Sequence, residues 1–324
     1  MRNSANDGWI DLRTLTGGIT STADATINSV TVGKGANSVS NNTALGENAL
    51  DASVSGNDNT AIGKNALTSL TSGASNTAIG VNCLDAATSG GNNSVLGHEA
   101  GSGITTGSNN TLIGLSAGAN ITTASLNTAV GKDALKNNTD GTRNVAIGAL
   151  ALDANTTANN NTAVGYNSLT ENTTGNSNVA FGTFALDANT TANDNTAIGY
   201  GTATSNTTGA SNTAIGRSAL SSNSTGSDNT CIGHGAMDAN TTASNNTAIG
   251  RSALEANTTG SSNAAVGSLS LKANTTGFYN SALGHGSLFA NTTGNNNAAV
   301  GYESLVANTT GHSNVAVGSG SMSS

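Results

Sequence analysis

Few residues of this chain are of types that do chemistry: four histidines, two cysteines, eighteen acids and one Gly-x-Ser-x-Gly string. The string Gly114-Leu115-Ser116-Ala117-Gly118 has the spacing of a hydrolase elbow, which presents a serine between a strand and a helix beside acid and histidine partners. His98, His234 and His285 are potential metal ligands, provided the fold brings them within ~2 Å of one ion. Cys83 and Cys231 could form a disulfide if their Cα atoms come within ~7 Å. Paired carboxylates could cleave a glycosidic bond. Each of these chemistries depends on the elements that hold the side chains.

Those elements repeat. From Gly46, steps of seventeen residues land on a glycine every time, through Gly63, Gly165 and Gly250 to Gly318, with no insertion or deletion. An asparagine stands four residues before each, as in Asn42, Asn59, Asn161 and Asn246. The residue before the glycine is apolar (Leu45, Ile62, Phe181, Val317), and the one before that is alanine except at Val95, Leu112 and Cys231. Three places after the glycine the side chain is small, and four places after it is usually leucine. A second asparagine column runs from Asn138 to Asn308, mostly within Asn-Thr-Thr-Gly. Each unit thus reads as a short strand, a glycine corner, a second short strand and a polar turn.

Seventeen residues are too few for a two-helix repeat, and helices disfavour this much glycine, asparagine and threonine. The expected fold is all-β: a parallel β-solenoid with 17-residue coils over residues 34–324, stacked at ~4.8 Å into a rod of about 80 Å. The absence of proline follows, because a proline would delete a rung. Asparagines and glycines at equivalent places form structural ladders, the amides bonding coil to coil. With isoleucine and threonine pointing into the coil as core, the alanine column points out, a small uncharged ridge suited to close approach of another copy. Since homo-oligomers are usually closed and symmetric, the expected assembly is a symmetric homotrimer; the alternative is a single thin solenoid.

The coils dissolve most of the chemistry. Gly114 is simply the repeat glycine, and Gly118 stands where leucine usually does. The closest two of the three histidines fall about 14 Å apart at rung spacing, too far to share a metal. The cysteines fall on the order of 40 Å apart and read as packing residues in small-residue columns. The acids are scattered. No catalytic residue, cofactor or metal site is expected. Ten basic residues in 324 cannot make a nucleic-acid footprint, and no apolar run is long enough to span a membrane. Variation concentrates in the two places after the repeat glycine and in the fifth. These hold Lys64, Lys132, Tyr166, Phe184, Tyr200, Arg217, Arg251 and Tyr302, with Asp51, Asp153, Asp187 and Asp238 at the fifth. They form an exposed edge, or a multivalent contact ridge (Lys64, Lys132, Tyr166, Tyr200, Arg217, Arg251, Tyr302) for a cell-surface glycan or protein. Residues 1–33, with the only tryptophan in Asp7-Gly8-Trp9-Ile10-Asp11, read as a cap or as the junction to an upstream part.

The unit Asn-Thr-Ala-Ile/Val-Gly-x-x-Ala/Ser-Leu resembles the head repeats of trimeric autotransporter (YadA-like) adhesins. It is still more similar to the Asn-Thr-Ala-Val-Gly and Asn-Thr-Thr-Gly arrays of bacteriophage tail fibres, whose lead-in the segment Ile27-Asn28-Ser29-Val30-Thr31-Val32-Gly33 also resembles. The resemblance covers roughly residues 27–324 and implies a trimeric, left-handed β-roll. Adhesin heads usually repeat at a shorter period and come with a signal peptide, stalk and anchor, so the phage fibre is the expected relative, and the chain is read as a fragment. The expected function is a non-enzymatic structural fibre at a virion or extracellular surface, giving rigidity, reach and multivalent host contact. The alternative is an adhesin head or filament subunit. Ice binding remains a third class, because threonines such as Thr43, Thr60 and Thr77 stand at rung spacing.

Overall fold

A computed structural model describes residues 24–323. One strand is contributed by each repeat: β3 (Thr43–Gly46), then sixteen three-residue strands from β4 (Thr60–Ile62) to β19 (Val315–Val317). Sixteen parallel pairings join these seventeen strands in chain order. Register is constant: Thr162, Ala163 and Val164 of β10 (Thr162–Val164) face Val179, Ala180 and Phe181 of β11 (Val179–Phe181). The chain is therefore an all-β parallel solenoid with seventeen-residue coils. At its start, the hairpin of β1 (Ala25–Ile27) and β2 (Val30–Gly33) pairs antiparallel with β3. Its two-residue turn, Asn28 and Ser29, has φ of 49° and 67°, the doubly left-handed turn that tight hairpins favour. Trp9 and the rest of residues 1–23 lie outside the described residues.

Inside and outside are the reverse of the expected arrangement. The alanine column is buried throughout, from Ala44 to Ala316, and the aliphatic column beside it faces out: Leu45 is 43% exposed and Phe181 56%. Strand neighbours point to opposite faces, so burying the alanine forces the isoleucine outward. The core is made instead from that alanine, the small residue three places after the glycine and the leucine four places after it, as in Ala180, Ala185 and Leu186. Some coils bury a second large aliphatic as well, Leu70 beside Leu67 and Ile121 beside Leu112, at the place that the buried second-ladder asparagines take from Asn138 onward.

The second strand is not formed either. Ala185 and Leu186 are adjacent and both buried, which no extended segment permits. The chain meets this demand by placing the leucine in the left-handed region, with φ of 53° at Leu169 and 51° at Leu186. That conformation costs about 1–2 kcal/mol, against ~1.5–3 kcal/mol for burying the side chain. Backbone rungs continue through the turns: Leu169 N–H donates to Ala185 O at 3.0 Å and Thr173 N–H to Thr190 O at 2.9 Å. Where glycine replaces this leucine, at Gly101 and Gly118, larger residues compensate. A Cβ on Gly118 would meet Leu112 Cδ2 at 2.9 Å and Ile121 Cδ1 at 2.8 Å. Core volume is thus exchanged between columns, the kind of swap that close packing tolerates.

Two asparagine ladders run through this interior. In the first, Asn178 N–H donates to Asn161 Oδ1 at 2.9 Å, and Asn161 Nδ2 donates to Gly175 O at 2.9 Å. In the second, Asn172 Nδ2 donates to Asn155 Oδ1 at 3.1 Å and to Gly175 O at 3.0 Å. Asn42, Asn59, Asn161 and Asn246 are all buried, where polar groups must be bonded to be tolerated. A threonine ladder flanks them, Thr156 Oγ1 donating to Thr173 O and Thr173 Oγ1 to Thr190 O, each at 3.1 Å.

Candidate functional site

The outward face of the strand ladder is an unbroken file of seventeen aliphatic or aromatic side chains, Leu45 to Val317, none of them buried. Parallel pairing in strict register places each directly over the next. Monomers rarely expose contiguous apolar patches larger than a few hundred Å². Threonines two residues earlier, such as Thr196, Thr213, Thr230 and Thr247, form a half-buried rank alongside. This file is the most prominent surface feature, and its outward facing was missed from sequence. The signal that could have revealed it was the pair of adjacent columns, small residue then leucine, which already fills the interior.

Just beyond the glycine corner, Lys64, Lys132, Tyr166, Tyr200, Arg217, Arg251 and Tyr302 are all exposed. Lys64 pairs with Glu47 one coil back at 3.1 Å, a solvated contact of little energetic weight. The aromatic members cluster. Tyr166 meets Phe184 edge to face at 5.6 Å between centroids, and Phe184 meets Tyr200 at 6.1 Å. Tyr302 stacks on His285 at 5.4 Å.

Ser116 lies in the corner after β7 (Thr111–Ile113), with φ of 53°, and residues 115–120 continue as turn where an elbow would start a helix. Among the described residues, no three histidine, cysteine or acidic side chains are grouped to hold a metal ion. Cys83 and Cys231 are buried free thiols. Burial pushes the Cys83 thiol up to about 12 and the Cys231 thiol higher still, so both remain protonated packing groups. No helix among the described residues is long and apolar enough to cross a membrane.

The fifth-place aspartates carry an electrostatic burden. Asp85, Asp153 and Asp187 each hold one covered carboxylate oxygen without a hydrogen-bond partner. Desolvation raises all three above the ordinary carboxyl range; Lys136 partly offsets this at Asp153, while Glu171 adds to it at Asp153 and Asp187. An acid whose folded value is raised binds its proton more readily in the native state. Its contribution is therefore fully present below the unfolded value, ~3.9, and is lost as pH rises through the folded value. Their share of stability should fall between acid and neutral pH. Replacing all three by asparagine is expected to raise the thermal midpoint at pH 7 and to change it little at pH 4. A midpoint at pH 7 lower than that of the parent would contradict this account.

Fold and surface together define a parallel β-solenoid held by internal asparagine ladders, with one apolar face and one variable corner ridge. Neither a known protein-family model nor a curated protein sequence matches the chain.

Proposed function

We propose that this chain is a non-enzymatic structural fibre, a shaft segment of a phage tail fibre or similar surface fibre, built as a symmetric homotrimer of left-handed β-rolls. The observation that carries the reading is the outward aliphatic file. It runs the length of the array, about 77 Å at rung spacing, at a constant position in every coil, and only a partner of the same periodicity could cover it throughout. A second and a third copy of this chain have that periodicity. The contact between copies is thus assigned to isoleucine, valine and leucine rather than to alanine. Rigidity comes from the continuous backbone ladder, and reach from the number of coils. The corner ridge, left outside such a contact, is available to a host-surface glycan or protein, with many weak contacts summing by multivalency.

Sedimentation equilibrium tests the assembly. The native chain is expected near three times its 31.4 kDa mass, and Ile198→Asp with Ile215→Asp, both on the outward file, should dissociate it with β-sheet circular dichroism retained. A parent mass of one chain would overturn the trimer. The alternative, an adhesin head or filament subunit, is favoured by the exposed aromatic and basic ridge, and the two differ in whether the isolated trimer adheres to cells. Freezing hysteresis in dilute solution would instead assign the threonine rank to ice.

A further inference from the structure

The geometry points to a binding cleft for a neutral hexose unit of a surface glycan, centred on Gly201 between Phe184, Tyr200 and Ser218. This rests on the ridge being a contact surface and is independent of the oligomeric state.

The cleft arises from a local departure from the repeat. The second place after the repeat glycine is Phe184 on one coil, Gly201 on the next and Ser218 on the third. The missing side chain leaves a gap between its neighbours, opening a cavity of about 460 Å³, within the ~300–1,000 Å³ of small-ligand sites. Its lining combines two aromatic rings, Phe184 and Tyr200, with the carboxylate of Asp187 and a set of hydroxyls that includes Thr204, Ser218 and Ser221. Tyr200 is 56% exposed, and the edge-to-face packing of Phe184 against both Tyr166 and Tyr200 holds the rings in place.

This lining matches a pyranose. A sugar ring has one face of C–H groups, which carry partial positive charge and are drawn to the electron-rich face of an aromatic ring. Its rim of hydroxyls donates and accepts, as the serine and threonine hydroxyls do, and a carboxylate accepts strongly. An anionic ligand is disfavoured, because no cation lines the cleft and Asp187 does. Ser221 Oγ also donates to Asp238 Oδ1, placing a second carboxylate beside the wall. A wholly apolar ligand would leave the hydroxyls and the carboxylate unpaired, a penalty that argues against it.

Saturation-transfer NMR on the full chain, with the methyl glycosides of glucose, galactose and N-acetylglucosamine as separate probes, tests the assignment. At least one probe should receive transfer. Tyr200→Ala should weaken its binding roughly fivefold, and Gly201→Leu should abolish it by filling the gap. The latter is structurally conservative: a Cβ on Gly201 meets only Thr204 Oγ1, at 3.5 Å, and Leu150 and Leu269 occupy the same place in other coils with φ of 60°. Leu126→Ala, exposed on a turn away from the ridge and outside the cleft, should leave binding unchanged. Absence of transfer to all three probes, or undiminished transfer in Gly201→Leu, would overturn the cleft. A trimer that receives no transfer loses only this inference, and a monomer that binds sugar loses only the trimer.

Discussion

Gly165→Ala is expected to break the stack at its coil, with a loss of more than about 3 kcal/mol in the stability of the surrounding repeats. Two effects coincide at this residue. Its φ is 133°, a region that side chains rarely adopt, and an added Cβ would lie 2.6 Å from both the carbonyl carbon and the oxygen of Gly182. The obstacle is backbone, and it cannot retreat. Gly165 N–H is bonded to Ile147 O at 2.8 Å and Gly182 N–H to Val164 O at 2.7 Å, so separating the corners means stretching the rungs that join three coils. Gly318→Ala provides the comparison. Its φ is 121°, yet nothing lies within 4 Å of its added Cβ. That variant isolates the cost of the dihedral, while Gly165→Ala adds the clash. Nearest-neighbour repeats lose stability locally, so hydrogen exchange across residues 145–200 is the direct readout, supported by a lowered urea midpoint. Equal losses in the two variants would show that close approach of the corners contributes nothing.

Asn161→Ala should produce the second large effect. The side chain accepts from Asn178 N–H at 2.9 Å and donates to Gly175 O at 2.9 Å. Gly175 O keeps a second donor, Asn172 Nδ2 at 3.0 Å, but the Asn178 N–H would be left buried and unpaired. Stranding a buried donor costs roughly 1–3 kcal/mol beyond the lost bond. A destabilisation of about 2–4 kcal/mol is expected in thermal or urea unfolding. Asn161→Asp separates the two functions of the amide. It retains an acceptor for Asn178 N–H and loses the donor to Gly175 O, placing a buried charge against a carbonyl, so its loss should shrink as the carboxyl is protonated at low pH. An alanine variant as stable as the parent would mean that the ladder contributes alignment without energy.

Much of this architecture was legible in the residues alone. The unbroken phase of Gly46, Gly63 and their successors specifies one coil per seventeen residues, and the asparagine four places before each glycine specifies a ladder, because only stacked equivalents could keep both. What misled was the strand Thr-Ala-Ile. Hydrophobicity alone assigns its isoleucine to the core, but a period-two element has two faces, and its own sequence does not say which one is inside. The leucine four places after the glycine decides the matter, and its left-handed backbone is invisible in a residue type that rarely adopts it. The cleft at Gly201 was hidden for a related reason. Phe184, Tyr200 and Ser218 are neighbours only once the rungs are in register, and the decisive feature is a side chain that is missing.

The absence of proline, the abundance of glycine and asparagine and the regular period determined that this chain stacks as coils, because backbone rungs and tight corners admit few other residues. Only the tertiary structure decided what each column faces. The strand buries its alanine column together with the leucine four places after the glycine, and the aliphatic residue beside that alanine, one step along the strand, must then face out. The two faces of a three-residue strand are equivalent in its own sequence, and which one lies inside is set by the walls and asparagine ladders it packs against, partners that only the stacked coils bring together.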